Sequence, residues 1–302
     1  MKNTNEIAAK FLGKDSLNNK MASYIAPENI DNSLLVAIPR SLNRESHGID
    51  QNLFKGFDVW NCYELSTINA KGKPFVGIMK IFFPADSINI VESKSLKLYL
   101  NSFNLCKLKG VTKEDLIYEL ENIITKDLQL KIDEKNIKVK IYDVNIPNLI
   151  EIPISHCDFK NIDDLDIEID QSSNHSLVIQ HYEEVQTLRI HSALLRSNCR
   201  VTNQPDWGDV YIHIKGKKLP TEESLLRHIT SMRKEQHFHE EISESIYHNI
   251  YTKFEPQELL VQCLYTRRGG IDINPIRYTK NIVNDKMLKY FSNENIYKTN
   301  RQ

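Results

Sequence analysis

The chain has 302 residues, 40% hydrophobic and 26% charged, with 39 Lys plus Arg against 40 Asp plus Glu and a formal charge of −1. Such a composition excludes collagen-like, disordered and disulfide-scaffold chains, and it allows one large domain or two ordinary ones. There is no basic excess with which to grip nucleic acid, so any anion site must be local.

Residues 1–55 are polar and Asn-rich, with one apolar run from Leu34 to Ile38. They read as a lead-in that wraps the body and has no core of its own. Phe57 to Leu65 and Phe75 to Phe83 alternate at a strand period around the turn signal Lys71-Gly72-Lys73-Pro74, which predicts a long hairpin. Ser93 to Phe103 has apolar residues at helical spacing. Thr112, with Asp115 three residues on, predicts the start of a second helix. Val139 to Val144 returns to strand.

Residues 151–184 read as a polar and acidic connector. The order then repeats. Val185 to Leu195 and Asp209 to Ile214 are strands, Glu222 to Met232 and His239 to Tyr251 are helices, and Leu259 to Tyr265 with Ile271 to Tyr278 form a final hairpin. An offset of 129 places Ser95 on Ser224, Leu96 on Leu225 and Ser102 on Ser231. This predicts an α+β architecture of two tandem modules, residues 56–150 and 185–302, each an antiparallel sheet with a helix pair on one face.

No GxGxxG or GxxxxGK[ST] occurs, so a Rossmann or P-loop nucleotide site is disfavoured. The N-terminus lacks a secretory apolar core, and no run approaches the ~18 residues of a membrane span. Five cysteines without a CxxC pair point to a reducing, cytoplasmic compartment and away from a Cys-rich zinc site.

Four stretches could carry chemistry. The loop Ser197 to Trp207 holds Cys199 and Asp206, a candidate nucleophile and proton donor; a buried inert thiol and a turn-capping Asp are the plain alternative. Gln236-His237-Phe238-His239-Glu240-Glu241 opens a helix, where acidic residues also suit the helix dipole. Ser93, Lys94 and Lys97 stand at a helix N-terminus that could hold a phosphate, or form a solvated face. Arg267-Arg268-Gly269-Gly270 could clamp a phosphate, or make a hairpin turn.

Together, Glu92-Ser93-Lys94-Ser95-Leu96-Lys97-Leu98-Tyr99, the Cys199 to Asp206 spacing, Phe238-His239-Glu240 and Arg268-Gly269-Gly270-Ile271 resemble the NADPH-dependent 7-cyano-7-deazaguanine reductases (QueF, preQ0 reductases) of the tunnelling-fold (T-fold) superfamily. The likeness runs from about Phe57 to Arg277 and suits the long, two-module type. The first half keeps the ESKS motif without the Cys loop; the second keeps the loop, with Thr221-Glu222-Glu223-Ser224 where the motif would stand. Arg200 departs from the Pro or apolar residue that many relatives have after the nucleophile.

The resemblance implies reduction of a nitrile on a deazaguanine to a primary amine with two NADPH, in queuosine tRNA modification. Cys199 would form a covalent thioimide, Asp206 would act as general acid with its pKa raised by burial, and His239 would assist. Val91, Glu92, Ser93, Phe238, His239 and Glu240 would hold the base. Ser93, Lys94, Lys97, Arg267, Arg268 and Gly269 would hold NADPH. No metal, membrane or nucleic-acid partner is implied, and open sheet edges suggest a homodimer. The competing readings are a zinc-dependent hydrolase of the GTP cyclohydrolase kind, using Cys199 with His237 or His239, and a non-catalytic purine-binding module.

Overall fold

The computed structural model describes residues 27, 29–144, 158–169, 176–200, 202–282 and 302. Residues 1–26 and 28 of the lead-in and Cys157 therefore lie outside the described residues. The described lead-in runs through a 3-10 turn (Asn32–Leu34), β1 (Ala37–Pro39) and α1 (Ser41–Ser46). It has no core of its own: Leu35 joins the core of the first half, while Ile49 and Phe54 join that of the second.

The first half opens with β2 (Lys55–Ile68) and β3 (Pro74–Pro84), an antiparallel pair. Asn69 shapes the turn between them, its side-chain oxygen accepting from the Lys71 and Lys73 N–H groups. β4 (Asn89–Val91) pairs with β1. α2 (Ser93–Asn101) follows, capped by the Glu92 carboxylate. α3 (Lys113–Ile132) begins with the expected capping box between Thr112 and Asp115. Its Leu116, Leu120, Ile124, Leu128 and Ile132 recur every fourth residue and are all buried. β5 (Lys138–Asp143) closes this half against β3.

In the second half, β6 (Lys160–Asn161) lies parallel to β7 (Ile179–Asn198), and β7 pairs antiparallel with β8 (Pro205–Pro220). Both long strands exceed their expected bounds. After Ile179 the first residues of β7 are mostly polar and exposed, so alternation does not mark them, yet beyond an irregularity between His181 and Gln186 pairing with β8 resumes as far as Ile179↔Pro220. α4 (Glu222–Ser231), α5 (His239–Phe254), β9 (Glu258–Tyr265) and β10 (Ile271–Tyr278) complete the chain's order.

All strands but β1 and β4 form one sheet in the order β5-β3-β2-β10-β9-β8-β7-β6. The halves join where β2 pairs antiparallel with β10, from Ile271↔Cys62 to Tyr278↔Lys55. Apolar residues on one sheet face pack on the helices: Trp60, Met79 and Ile81 with Leu96, Leu120 and Ile124, and Ile212 and Val261 with Ile242 and Ile246. Ile271 and Ile273 of β10 belong to the first core, so the two cores meet at this seam.

Candidate active site

Four chain segments converge above the β2–β10 seam. Cys199 follows β7 at the start of a tight loop. Its N–H bonds the Gln204 carbonyl at 2.8 Å, and its carbonyl accepts from Asn203 N–H at 2.9 Å. Asn203 takes a left-handed φ of 54°, a conformation Asn tolerates better than most residues. The loop is pinned to the segment before α5: Asn198 N–H bonds Glu235 O, and His237 N–H bonds Asn198 O. That segment turns into α5 with His239 and Glu240 as its first two residues, and Glu241 folds back to accept from Phe238 N–H at 2.9 Å.

α2 points its N-terminus at the same place. β10 begins after a two-residue turn in which Arg268 and Ile271 exchange both backbone bonds across Gly269 and Gly270. Those glycines have φ of 57° and 77°, and a Cβ on Gly269 would stand 3.2 Å from Lys97 Nζ.

Between these segments lies a cleft of about 890 Å³, its solvent-open part included. From the α2 side it is lined by Val91, Glu92, Ser93, Lys94 and Lys97. Cys199, Asp206, Phe238, His239 and Glu240 line the other side, and Arg268 and Gly269 the rim. Thus every expected site residue but one faces the cleft. The exception is Arg267, whose guanidinium lies 3.4 Å over the Tyr63 ring. Its neighbour Arg268 turns inward instead, because adjacent residues of an extended chain point to opposite sides.

Lys94 Nζ stands 3.7 Å from Cys199 Sγ, and a cation at that distance favours the thiolate. Asp206, nearly buried, pairs with Arg268 and stands 3.4 Å from His239 Nε2. Burial works to raise its pKa, but the hydrogen bond and charge of His239, then those of Arg268, outweigh it and hold the carboxyl below the usual range. The expectation of a raised Asp206 is therefore corrected. The His239 ring stacks on Tyr265 at 3.7 Å.

Glu240 is buried and accepts from Trp60 Nε1 at 3.1 Å. Burial, then the charge of Asp58, pushes its pKa up to about 8, against the pull of Arg40 and Arg277. A second correction concerns the α2 N-terminus. The Lys94 and Ser95 N–H groups are taken by the Glu92 side chain, so a phosphate here would be held by the Lys94, Lys97 and Arg268 side chains rather than by the helix end. Arg200 reaches Glu241 at 3.1 Å and Asn43 at 3.4 Å, bridging the Cys loop to α5 and α1.

Trp60, His237 and Ile38 also line the cleft, and the sequence does not single them out as site residues. His237 enters the sequence reading only as a metal ligand of the competing hydrolase; here its Nε2 bonds Glu235. Among the described residues, no three His, Cys, Asp or Glu side chains are grouped to hold a metal ion. The arrangement can present a nucleophilic sulfur, a carboxylate–imidazole pair and two further carboxyl groups to one flat ligand, with cations on the rim for an anionic one.

A family described as nitrile reductase, 7-cyano-7-deazaguanine reductase N-terminal part, matches residues 26–141, and one described as QueF-like protein matches residues 205–284. A protein of Rickettsia akari named NADPH-dependent 7-cyano-7-deazaguanine reductase is 43% identical over 267 residues, 87% of this chain and 93% of that one. A protein of the same name from Rickettsia typhi is 44% identical over 266 residues, 87% of this chain and 93% of that one. Its namesake from Hahella chejuensis is 40% identical over 254 residues, 83% of this chain and 89% of that one. The chain belongs to the NADPH-dependent 7-cyano-7-deazaguanine reductase family. The two family matches fall on either side of the seam over which the cleft opens. Membership thus draws on both halves of the chain, as does the cleft, with Glu92 to Lys97 from one and Cys199 to Gly269 from the other.

Proposed function

We propose that this chain reduces the nitrile of 7-cyano-7-deazaguanine to the primary amine of 7-aminomethyl-7-deazaguanine, at the expense of two NADPH per base, for queuosine tRNA modification. The observation that carries this reading is a thiol beside an ammonium, Cys199 Sγ to Lys94 Nζ at 3.7 Å, in one cleft with the Asp206–His239 pair and Glu240. A nitrile carbon is electrophilic, and a thiolate is the nucleophile suited to it.

The Cys199 sulfur bonds the nitrile carbon, one C–N π bond opens, and the nitrogen takes a proton to give a thioimide. The Asp206–His239 pair lies where that proton is needed. Asp206 is ionised in the free site, so it takes up its proton, through His239, as substrate enters. When bound, NADPH would supply a hydride at each of the two reductions, and a second proton, drawn from solvent, completes the amine at the second. Between them the carbon–sulfur bond breaks and Cys199 leaves as a thiolate beside Lys94, releasing an imine within the cleft. Glu240 and Glu92 accept from the N–H donors of the guanine-like edge, and Phe238 stacks on the ring. Lys94, Lys97 and Arg268 hold the cofactor phosphates, with Ser93 and Gly269 beside them.

The same reading carries a cytoplasmic homodimer. It rests on cysteines that form no disulfide at Cys62, Cys106 and Cys263 and on the outer strands β5 and β6, which end the sheet. Among the described residues, no helix is long and apolar enough to cross a membrane.

Turnover of the purified chain with the nitrile base tests the function. Two NADPH oxidised per base, with the amine as product, is the expected result. An absence of base-dependent NADPH oxidation contradicts it.

A further inference from the structure

Beneath the cleft lies a buried string of charge that the reaction above does not use. Arg40, just ahead of α1, donates to Asp58 of β2 at 2.5 Å. Asp58 also receives Arg277 of β10 at 2.7 Å. Arg277 reaches on to Glu244 of α5 at 2.8 Å, and Glu244 takes Arg44 of α1 at 2.7 Å. All five side chains are at most 5% exposed. Signs alternate along this string, with three guanidiniums and two carboxylates, which leaves one positive charge over. Uncompensated charge in a dry interior is strongly disfavoured.

The compensating group stands one step away. Glu240 precedes Glu244 by one helical turn and so shares its face of α5. Trp60, which donates to Glu240, lies two residues beyond Asp58 on the same face of β2. An ionised Glu240 makes the assembly three cations and three anions.

We propose that Arg40 is a positioning residue for base recognition, supplying beside Asp58 the positive charge that favours the carboxylate form in which Glu240 accepts from the base. This rests on the reading that Glu240 accepts from the base. It gives the lead-in a part in the site although, among its described residues, only Ile38 lines the cleft. Trp60 of β2 donates to Glu240, and the charges of Asp58 from β2, Arg40 from the lead-in and Arg277 from β10 act on it, as it acts on Tyr265 from β9. His239 and Glu244 flank it on α5, and Glu92, Lys94 and Arg268 stand around the cleft. Burial and Asp58 work against its ionisation, while Arg40 and Arg277 favour it.

The sign follows. Base binding that needs the carboxylate strengthens as pH rises through the titration of Glu240. Removing Arg40 moves that rise to higher pH, and removing Asp58 moves it lower.

The test is the dissociation constant of 7-cyano-7-deazaguanine, without NADPH, from pH 6.5 to 9. The proteins compared are wild type, Arg40→Met, Arg40→Lys, Asp58→Asn, Glu240→Gln and the Arg40→Met/Glu240→Gln double variant. Arg40→Met is expected to bind about tenfold more weakly at pH 7, for a displacement of one pH unit, with the gap closing toward pH 9. Arg40→Lys should keep the wild-type profile. Arg40→Met should add no further loss where Glu240 is already Gln.

A loss equal at every pH, or one that persists beside Glu240→Gln, makes Arg40 merely structural and overturns the proposal. So does a wild-type profile in Arg40→Met. Should Arg40→Met fail to fold, Asp58→Asn decides: its profile must move to lower pH, and an unmoved or opposite profile refutes the idea. Glu240→Gln binding as well as wild type at every pH would instead strike down the base-binding reading of Glu240.

Discussion

Cys199 owes its setting to residues far away in sequence. Lys94 reaches its sulfur from 105 positions earlier, across the seam between the halves. If that ammonium favours the thiolate, Lys94→Met slows alkylation of Cys199 by iodoacetamide at pH 7 by about tenfold. An unchanged rate would remove Lys94 from activation and leave it only a place near the cofactor. Cys199, Asp206, Phe238 and Glu240 were legible because they lie in short motifs of fixed spacing. Arg40 and Trp60 were not. A Trp on an alternating strand reads as core, and an Arg in a polar lead-in reads as solvated. Nothing local reveals that their partners stand 18 and 180 positions away.

α5 shows how one helix face carries two carboxylates with opposite titration. Glu244 is fully enclosed; burial works to raise its pKa, but Arg277 and Arg44 outweigh it and lower it to about 2. Its contribution to stability is complete above its unfolded pKa of about 4.5 and fades as pH falls toward 2. Glu240 is raised to about 8, so folding favours its protonated form. Its contribution is complete below about pH 4.5 and fades as pH rises toward 8. Glu240→Gln, which has no charge to bury, should therefore raise Tm at pH 8 by more than it does at pH 5. A Tm difference independent of pH would contradict the burial of an ionisable Glu240.

The helices also show what the 129-residue offset meant. Glu92 and Thr221, 129 apart, are the side-chain caps of α2 and α4. Ser95 and Ser224 each donate back to the carbonyl of that cap, at 2.6 and 3.0 Å. Near the helix ends, Ser102 and Ser231 donate to the carbonyls of Tyr99 and His228, three residues back, at 2.6 and 2.7 Å. Three identities that look slight in sequence are thus one hydrogen-bonded helix frame used twice. Helix starts were readable from such caps. The full lengths of β7 and β8 were not, because the outer part of β7 is mostly polar and exposed, and backbone pairing with β8 rather than an alternating apolar face extends it.

Across the whole molecule, the join of β2 to β10 matters most. It makes one sheet of two halves and brings Glu92, Lys94 and Lys97 from one within reach of Cys199 and Asp206 from the other. Motif order pointed to a shared site, but strand order could not be read, since any of several edges could have paired. The sheet ends in the short strands β5 and β6, which leaves edges for a second copy. Light scattering at micromolar concentration should give twice the chain mass, and a concentration-independent monomer would rule the homodimer out.

The account turns on a bond between the Cys199 sulfur and the nitrile carbon. Intact mass of the protein mixed with 7-cyano-7-deazaguanine in the absence of NADPH tests it directly. The wild type should gain the mass of one base, localised to the peptide that contains Cys199, and Cys199→Ser should gain none. A wild-type mass that stays unchanged while the base is bound, or an adduct that survives in Cys199→Ser, would contradict the mechanism.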